Sequence, residues 1–339
     1  MCSCVDILYV KMANTNRNCT TVCTFNCRSL KSSTNEIIEL CNMSDFVFLQ
    51  EHWLLPTELD CLNNLHNDFC ATGHSAVELS QGILIGRPYG GTAILFRKNL
   101  MSYITLVETH DDRLTALIFQ STMGSVLLVS VYMPTDYGDP DCLDNFTDTC
   151  ARISALYNEC DVVHAIIIGD FNCCVGSRYY NTFMQLAVDN NFVFTDMNRL
   201  CEASTFTYCS DSGLASSWID HCLYSYDIDQ LVSKVEVLYS YVSSDHKPLL
   251  IQLESLSDMC PNVNNRQSFV DLHDCVDPTV DWSKVNDCCL SSFQNELNMR
   301  LCRINIRSLL LSPTTTSDTN NLCDVKDVVD RITTMLCSV

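Results

Sequence analysis

The sequence predicts an α/β fold: a four-layer α/β/β/α sandwich of two packed, mainly antiparallel sheets, with a helical C-terminal extension. Three observations lead there. Short apolar or β-branched runs far outnumber helical stretches. Helical stretches and polar turns alternate with these runs, and the texture of the chain changes after about residue 255. Many strands with few helices between them bury their faces best as two sheets face to face, with the helices outside.

In chain order, the candidate strands are Thr20–Phe25, Phe46–Leu49, Thr92–Phe96, Thr115–Phe119, Val126–Tyr132, Val162–Ile168, Thr205–Tyr208, Trp218–Tyr224 and Leu249–Leu253. The candidate helices are Asn35–Asn42, Cys142–Cys160 and Tyr179–Asn190. In the second of them Phe146, Cys150, Ile153 and Leu156 recur at helical spacing. Gly90-Gly91 and Asp211-Ser212-Gly213 mark tight turns. Residues 256–283 are polar and irregular. A helical pattern then runs through Val285, Cys289, Phe293, Leu297, Leu301 and Ile304, before a Ser/Thr/Asn-rich stretch at Ser312–Asn321 and a short terminal helix. The expected division is an N-terminal tail over 1–19, a main domain over 20–255, and a linker with a helical extension over 256–339.

Composition narrows the class. Hydrophobic residues make up 47% of the 339 and charged residues 18%, enough to build a sizeable core. No apolar run approaches the roughly 20 residues that a membrane-spanning helix needs. The start of the chain, with Cys2, Cys4 and the short stretch Val5–Val10, lacks a secretory apolar region and cleavage site. An intracellular protein with no membrane partner is expected. The 23 cysteines contain no Cys-x-x-Cys pair, which argues against a zinc ribbon or finger. Cys19, Cys23 and Cys27 recur every fourth residue, but their segment reads as a strand. Reduced cysteine serves here as a small core hydrophobe.

The formal net charge is −21. Up to residue 255 there are 13 basic and 30 acidic side chains, and after it 7 and 11. Phosphate backbones normally draw a basic surface. Either a bound cation offsets part of the acidity and the rest faces away from substrate, or the substrate is not a long nucleic acid.

The chemistry is written at strand ends. Phe46-Val47-Phe48-Leu49 runs into Gln50-Glu51, and Ala165-Ile166-Ile167-Ile168 into Gly169-Asp170-Phe171-Asn172. Val126–Val131 delivers Tyr132-Met133-Pro134, Ser217-Trp218-Ile219 leads to Asp220, and Ser243-Ser244-Asp245-His246 precedes Lys247-Pro248-Leu249. Ionisable groups beside buried strands are costly unless paired or metal-bound. Acids gathered at one edge of a sheet pair suit a hard divalent cation, with His246 free for proton transfer or phosphate contact. Singly, each has a plain structural reading: Asp170 and Asn172 as an Asx turn, Tyr132 as a packed core tyrosine, His246 as an ordinary histidine. His52, His66, His74, His110, His164, His221 and His273 have no defensible partner spacing and are read as structural.

The ordered series resembles the signature of the endonuclease/exonuclease/phosphatase family: Asn26, Gln50-Glu51, Tyr132-Met133-Pro134, Gly169-Asp170-Phe171-Asn172, Asp220 and Ser244-Asp245-His246. It spans roughly residues 20 to 253. Within the family, Asn26-Cys27-Arg28-Ser29-Leu30, Tyr89-Gly90-Gly91-Thr92-Ala93-Ile94-Leu95 and Ser244-Asp245-His246-Lys247-Pro248 look like the nicking endonucleases of LINE-type (non-LTR) retrotransposons. Val280-Asp281-Trp282-Ser283-Lys284 is similar to the segment that links endonuclease to reverse transcriptase there.

The resemblance implies a metal-dependent endonuclease acting on DNA, leaving 3′-hydroxyl and 5′-phosphate ends. Mg²⁺, with Mn²⁺ as the alternative, is held by Glu51, with Asn26 and Asp245 near its shell. Asp170 activates water, Asn172 fixes the phosphate, His246 is oriented by Asp220, and Tyr132 steadies the leaving group. Asn26 and Arg113 are further substrate contacts, Arg113 as a brace. Arg28 stands where repair-type relatives often carry an acid. A reverse transcriptase domain is expected downstream in the parent element but is not among these 339 residues; a nuclear location follows from the substrate alone. The competing readings are a phosphatase or phosphodiesterase for a small phosphorylated molecule or lipid headgroup, which the charge favours, and an inactive retrotransposon-derived remnant.

Overall fold

The computed structural model describes residues 19–254, apart from 78–85, 122 and 202. The expected tail and the 256–339 extension, including the helical pattern from Val285 and the linker Ser312–Asn321, lie outside the described residues. Fourteen strands and four α-helices follow in chain order: β1 (Cys19–Asn26), α1 (Leu30–Met43), β2 (Phe46–Gln50), β3 (Phe69–His74), β4 (Thr92–Arg97), β5 (Ile104–Val107), β6 (Leu114–Ser121), β7 (Gly124–Tyr132), α2 (Asp141–Glu159), β8 (His164–Asp170), α3 (Tyr180–Asn190), β9 (Phe192–Phe194), β10 (Tyr208–Cys209), β11 (Ser216–Ser217), β12 (Asp220–Ser225), α4 (Tyr226–Asp229), β13 (Val232–Val237) and β14 (Leu249–Glu254). Among the described residues, no helix is long and apolar enough to cross a membrane.

One six-stranded sheet has the order β13-β14-β1-β2-β4-β3, the other β5-β6-β7-β8-β12-β9, and β10 with β11 forms a separate ribbon. β1 with β2 and β7 with β8 are parallel pairs; the other pairings are antiparallel. The period-two alternation of a strand sorts its side chains into two layers. Val22, Phe46, Phe48, Ile94 and Phe96 of the first sheet meet Leu117, Phe119, Val126, Leu128, Ile166, Ile168, Cys222 and Tyr224 of the second in the central core. Their neighbours face outward. Cys23, Phe25, Val47, Leu49, Ala93 and Leu95 pack under Ile37, Leu40 and Cys41 of α1. Leu127, Val129, Val131, Ala165 and Ile167 pack under Phe146 and Ile153 of α2 and Phe183 of α3. The result is the expected helix–sheet–sheet–helix sandwich.

The same alternation positions the site. Along the face between the sheets, Val22 gives way to Thr24 and Asn26, Phe46 and Phe48 to Gln50, Leu128 to Ser130 and Tyr132, and Ile168 to Asp170. Every one of these strands turns polar toward the same end of the sandwich, where Thr92, Thr115 and Asp220 also lie by register. A belt of hydrogen bonds closes that end. Thr24 donates to Gln50 Oε1 (3.1 Å), Gln50 Nε2 to Ser130 Oγ (3.0 Å), Ser130 to the Leu49 carbonyl (3.1 Å) and Thr115 to the Thr92 carbonyl (2.9 Å). Buried polar groups are tolerated because they are paired in this way.

Besides β11 of the short ribbon, four strands are not legible as strands in the sequence: β3, β5, β9 and β13. All four are sheet edges. An edge strand is covered on fewer sides, so β3, β5 and β13 carry no continuous apolar run, with β5 and β13 exposing residues in mid-strand, while β9 is apolar throughout but just three residues long. Thr205–Tyr208 was expected as a strand and contributes just Tyr208 to the short ribbon with β11. Helix α1 starts at Leu30, ahead of the expected Asn35, since its polar first turn faces solvent at Lys31 and Ser32.

Gly169 of β8 lies in register with Val131 of the parallel strand β7, and a Cβ there would fall on the Val131 carbonyl. Backbone cannot yield as a side chain can. Gly169→Ala is therefore expected to lower unfolding free energy by about 3 kcal/mol in urea titration; an unchanged midpoint would contradict this packing.

Candidate active site

At the polar end, register alone brings site residues together. Asn26 pairs with Gln50 across β1 and β2, and Asp170 lies between Tyr132 of β7 and Asp220 of β12. Glu51 follows directly on β2 in a left-handed conformation (φ 53°), as do Arg28 (φ 45°) after β1 and Asn172 (φ 48°) after β8. Non-glycine residues in that region are uncommon and strained, and such strain clusters at functional sites.

Asn26 is the hinge of the arrangement. Its Nδ2 donates to Glu51 Oε1 at 3.0 Å and to Asp170 Oδ2 at 2.9 Å, while its Oδ1 accepts the Arg28 backbone N–H at 3.2 Å. The second contact fixes which way the amide points. Glu51 Oε2 accepts Trp53 Nε1–H at 3.0 Å. The Tyr132 hydroxyl hydrogen-bonds Glu51, and burial together with Glu51 and Asp170 drives its pKa far up, so it stays a neutral donor.

His246 reaches the site from the loop before β14. Its Nδ1 lies 2.9 Å from Asp220 Oδ2, and its Nε2 3.8 Å from Asp170 Oδ2. Thr207 Oγ1 accepts the Asp220 backbone N–H at 3.0 Å, Ser244 Oγ accepts the His246 N–H at 3.1 Å, and Ser244 donates to the Asn26 carbonyl at 2.8 Å. That last bond ties the histidine loop to β1. Burial would strip His246 of its proton, but the Asp220 and Asp170 carboxylates outweigh it and push the ring up to about 10. Burial raises the Asp170 carboxyl, and the facing imidazolium holds it back. The three residues form a buried proton-sharing unit.

The remaining expected residues sit around this centre. The Asn172 backbone N–H binds Asp170 Oδ1 at 2.9 Å, and its Nδ2 donates to the Met133 carbonyl at 2.8 Å. Arg113 lies behind Tyr132: its guanidinium stands 5.4 Å from the ring centre and donates to the Tyr132 carbonyl at 3.2 Å. Asp245 is on the rim, with Oδ2 3.2 Å from the Arg28 guanidinium, which also pairs with Asp211 at 2.9 Å. Sequence reading missed Thr207 and the buried pair His221–Asp196, whose contacts join distant segments, and Trp53, whose indole meets Glu51 two residues before it across a left-handed turn.

Asp170, Asp220 and His246 place ligand-type atoms within 4.8 Å of one another. Both nitrogens of the ring face carboxylates, however, and a ring that carries protons on those nitrogens is no ligand. The donor that suits a hard divalent cation is the Glu51 carboxylate, which stands on the far side of the Asn26 amide from the imidazolium, since Mg²⁺ takes one or two carboxylates and keeps several waters. The residues present fit the group.

Fold and site together define a metal-dependent phosphodiester hydrolase. Residues 23–246 match the model of the Endonuclease/Exonuclease/phosphatase family, and the chain belongs to that family. Its fold is shared by several solved structures. The 3′ phosphatase NExo from Neisseria, bound to product DNA hairpin, has 16% identity and a TM-score of 0.54, covering 69% of this chain and 99% of that one. The AP endonuclease LMAP from Leishmania major has 14% identity and a TM-score of 0.55, covering 70% and 88%. The endonuclease domain of TRAS1, a telomere-specific non-LTR retrotransposon, has 14% identity and a TM-score of 0.52, covering 70% and 99%. No curated protein matches the chain.

The raised His246 value makes a stability claim. Its contribution is fully present below about pH 6.5, the unfolded value, and is lost as pH rises through the folded one. In metal-free buffer the unfolding midpoint is expected to fall from pH 6.5 toward 10, and His246→Asn to flatten part of that slope. A midpoint that climbs over this interval contradicts the imidazolium between the two acids.

Proposed function

We propose that the protein is a Mg²⁺-dependent endonuclease that nicks DNA in the manner of a retrotransposon endonuclease, leaving 3′-hydroxyl and 5′-phosphate ends. The observation that carries the reading is the Asn26 amide, shared at 3.0 and 2.9 Å between Glu51 and Asp170. It couples a cation-side carboxylate to a water-side carboxylate. Glu51 would hold the ion, bordered by Asn26 and by Asp245; Mg²⁺ is the first expectation and Mn²⁺ the alternative. When bound, the ion polarises the scissile phosphate and offsets developing charge.

The chain's own residues supply the rest. Asp170, a buried carboxylate with raised basicity, orients the attacking water and accepts its proton as the new oxygen–phosphorus bond forms. Asn172, fixed by its backbone to Asp170 and by its amide to Met133, limits where phosphate and water can sit. His246 keeps an N–H toward the phosphoryl oxygen because Asp220 binds its other nitrogen. Tyr132, a neutral hydroxyl braced by Arg113, steadies charge on the leaving O3′ as the P–O3′ bond breaks. The free 3′-hydroxyl is the end a reverse transcriptase extends.

The family match and the fold shared with NExo and the TRAS1 domain support a nucleic-acid substrate. A nuclear location would follow. The net charge of −21 favours the second reading, hydrolysis of a small phosphate ester. Supercoiled plasmid, Mg²⁺ and the Asp170→Ala and His246→Ala variants separate them. The parent is expected to relax plasmid, and each variant to lose at least about 100-fold in rate. Intact plasmid with phosphate released from small esters would transfer the assignment to the second reading.

A further inference from the structure

Adjacent residues of a strand face opposite sides of the sheet. Asp220 enters the site, so His221 points away from it, into the layer that contains α3. His221 and Asp196 are both fully buried there. The His221 Nδ1 lies 2.8 Å from Asp196 Oδ2, and its Nε2 lies 2.8 Å from the Cys173 carbonyl. Both partners are acceptors, so both nitrogens must carry hydrogen and the ring is an imidazolium. The other oxygen of Asp196 accepts the Cys222 backbone N–H at 2.9 Å. The rings of Phe171, Phe183 and Trp218 stand around it, with centroids at 6.2, 5.2 and 5.8 Å.

A charged pair sealed from solvent is often no more stable than apolar residues of the same size. Its contacts lie in informative places. Cys173 directly follows Asn172 in the loop that leaves β8 after Asp170, and Cys222 is two residues beyond Asp220 on β12. One ion pair therefore grips, from behind the sheet, both segments that deliver Asp170, Asn172 and Asp220.

We propose that His221 and Asp196 are positioning residues, a rear clamp that ties the Asp170–Cys173 loop to β12 and holds Asp170 and Asn172 in register with Asp220 and His246. The clamp rests on the hydrolytic reading of the site given above. Its working bond is the one from His221 Nε2–H to the Cys173 carbonyl. Asn172 is left-handed, so the loop does not sit in a relaxed backbone minimum without outside contacts. A displacement of about 1 Å at such a place can cost about 100-fold in rate.

Charge and tether can be separated. In Asp196→Asn the retained oxygen still accepts the Cys222 N–H, and the new amide donates to a neutral His221 whose Nε2–H still holds Cys173. Plasmid-nicking kcat is expected to stay within about twofold of the parent, since the reacting groups do not move. Adding His221→Phe to Asp196→Asn strands no charge but removes the tether. There kcat is expected to fall by about 10- to 100-fold while KM stays unchanged. His221→Gln in the same background returns an N–H toward Cys173 and should recover much of the loss.

Nuclear magnetic resonance gives a readout independent of activity. The parent should show a histidine ring with both N–H groups at pH 7, absent in His221→Phe, and the Asn172 and Cys173 amide signals should shift in the tether-free variant. A folded tether-free variant with unchanged kcat, or a His221 ring in the parent with no hydrogen on Nε2, overturns the clamp. If the parent cleaves no phosphodiester, the hydrolytic reading fails, and the Asn172 and Cys173 amides decide the tether: shifted signals support it, unmoved signals overturn it.

Discussion

Asp170 sits where the dry layer between two sheets ends, and the rest of the site is arranged around the cost of its charge. A lone carboxylate in that place would simply take up a proton. The Asn26 amide at 2.9 Å and the His246 ring at 3.8 Å reduce that cost from two sides. Each helper is constrained in turn: Asn26 by Glu51 and the Arg28 backbone, His246 by Asp220, and Asp220 by Thr207. Removing one member leaves another buried polar group unpaired, so the network behaves as a unit.

The alternation that makes a two-sheet core also makes the site. Inner-face residues are apolar at mid-sandwich and polar in the one or two positions of each strand nearest one end, on both sheets. Hydrogen bonds between Gln50, Ser130 and the Leu49 carbonyl join the sheets across that boundary. The polar end is thus an edge of the core itself, and loops contribute strained single residues such as Glu51 and Asn172.

Much of this was legible in the residues. Central strands declared themselves because both faces are buried, and strands ending in Gln50-Glu51, Asp170 or Tyr132 declared the site edge. Edge strands β3, β5 and β13 did not, since partial exposure erases the apolar run, and β9 did not because its apolar run is three residues long. Asn26, Glu51, Asp170, Asp220, Tyr132, Asn172 and His246 converge at one end of the sandwich, while Asp245 stands at the rim with Arg28 and Arg113 lies behind Tyr132. His221 was read as structural because its partner Asp196 is distant in sequence and no local spacing marks it. Arg28 shows what charge counting misses: one of the few cations of this acidic chain is spent between Asp245 and Asp211 beside the site.

In the proposed reaction a divalent ion sits on the Glu51 side of Asn26, and the Asp170–His246–Asp220 unit handles protons. A crystal of the protein soaked in Mn²⁺, with anomalous difference density, tests it most directly. A peak within ligand distance of the Glu51 carboxylate, absent in Glu51→Gln, is expected. A peak lodged among Asp170, Asp220 and the His246 ring would contradict it.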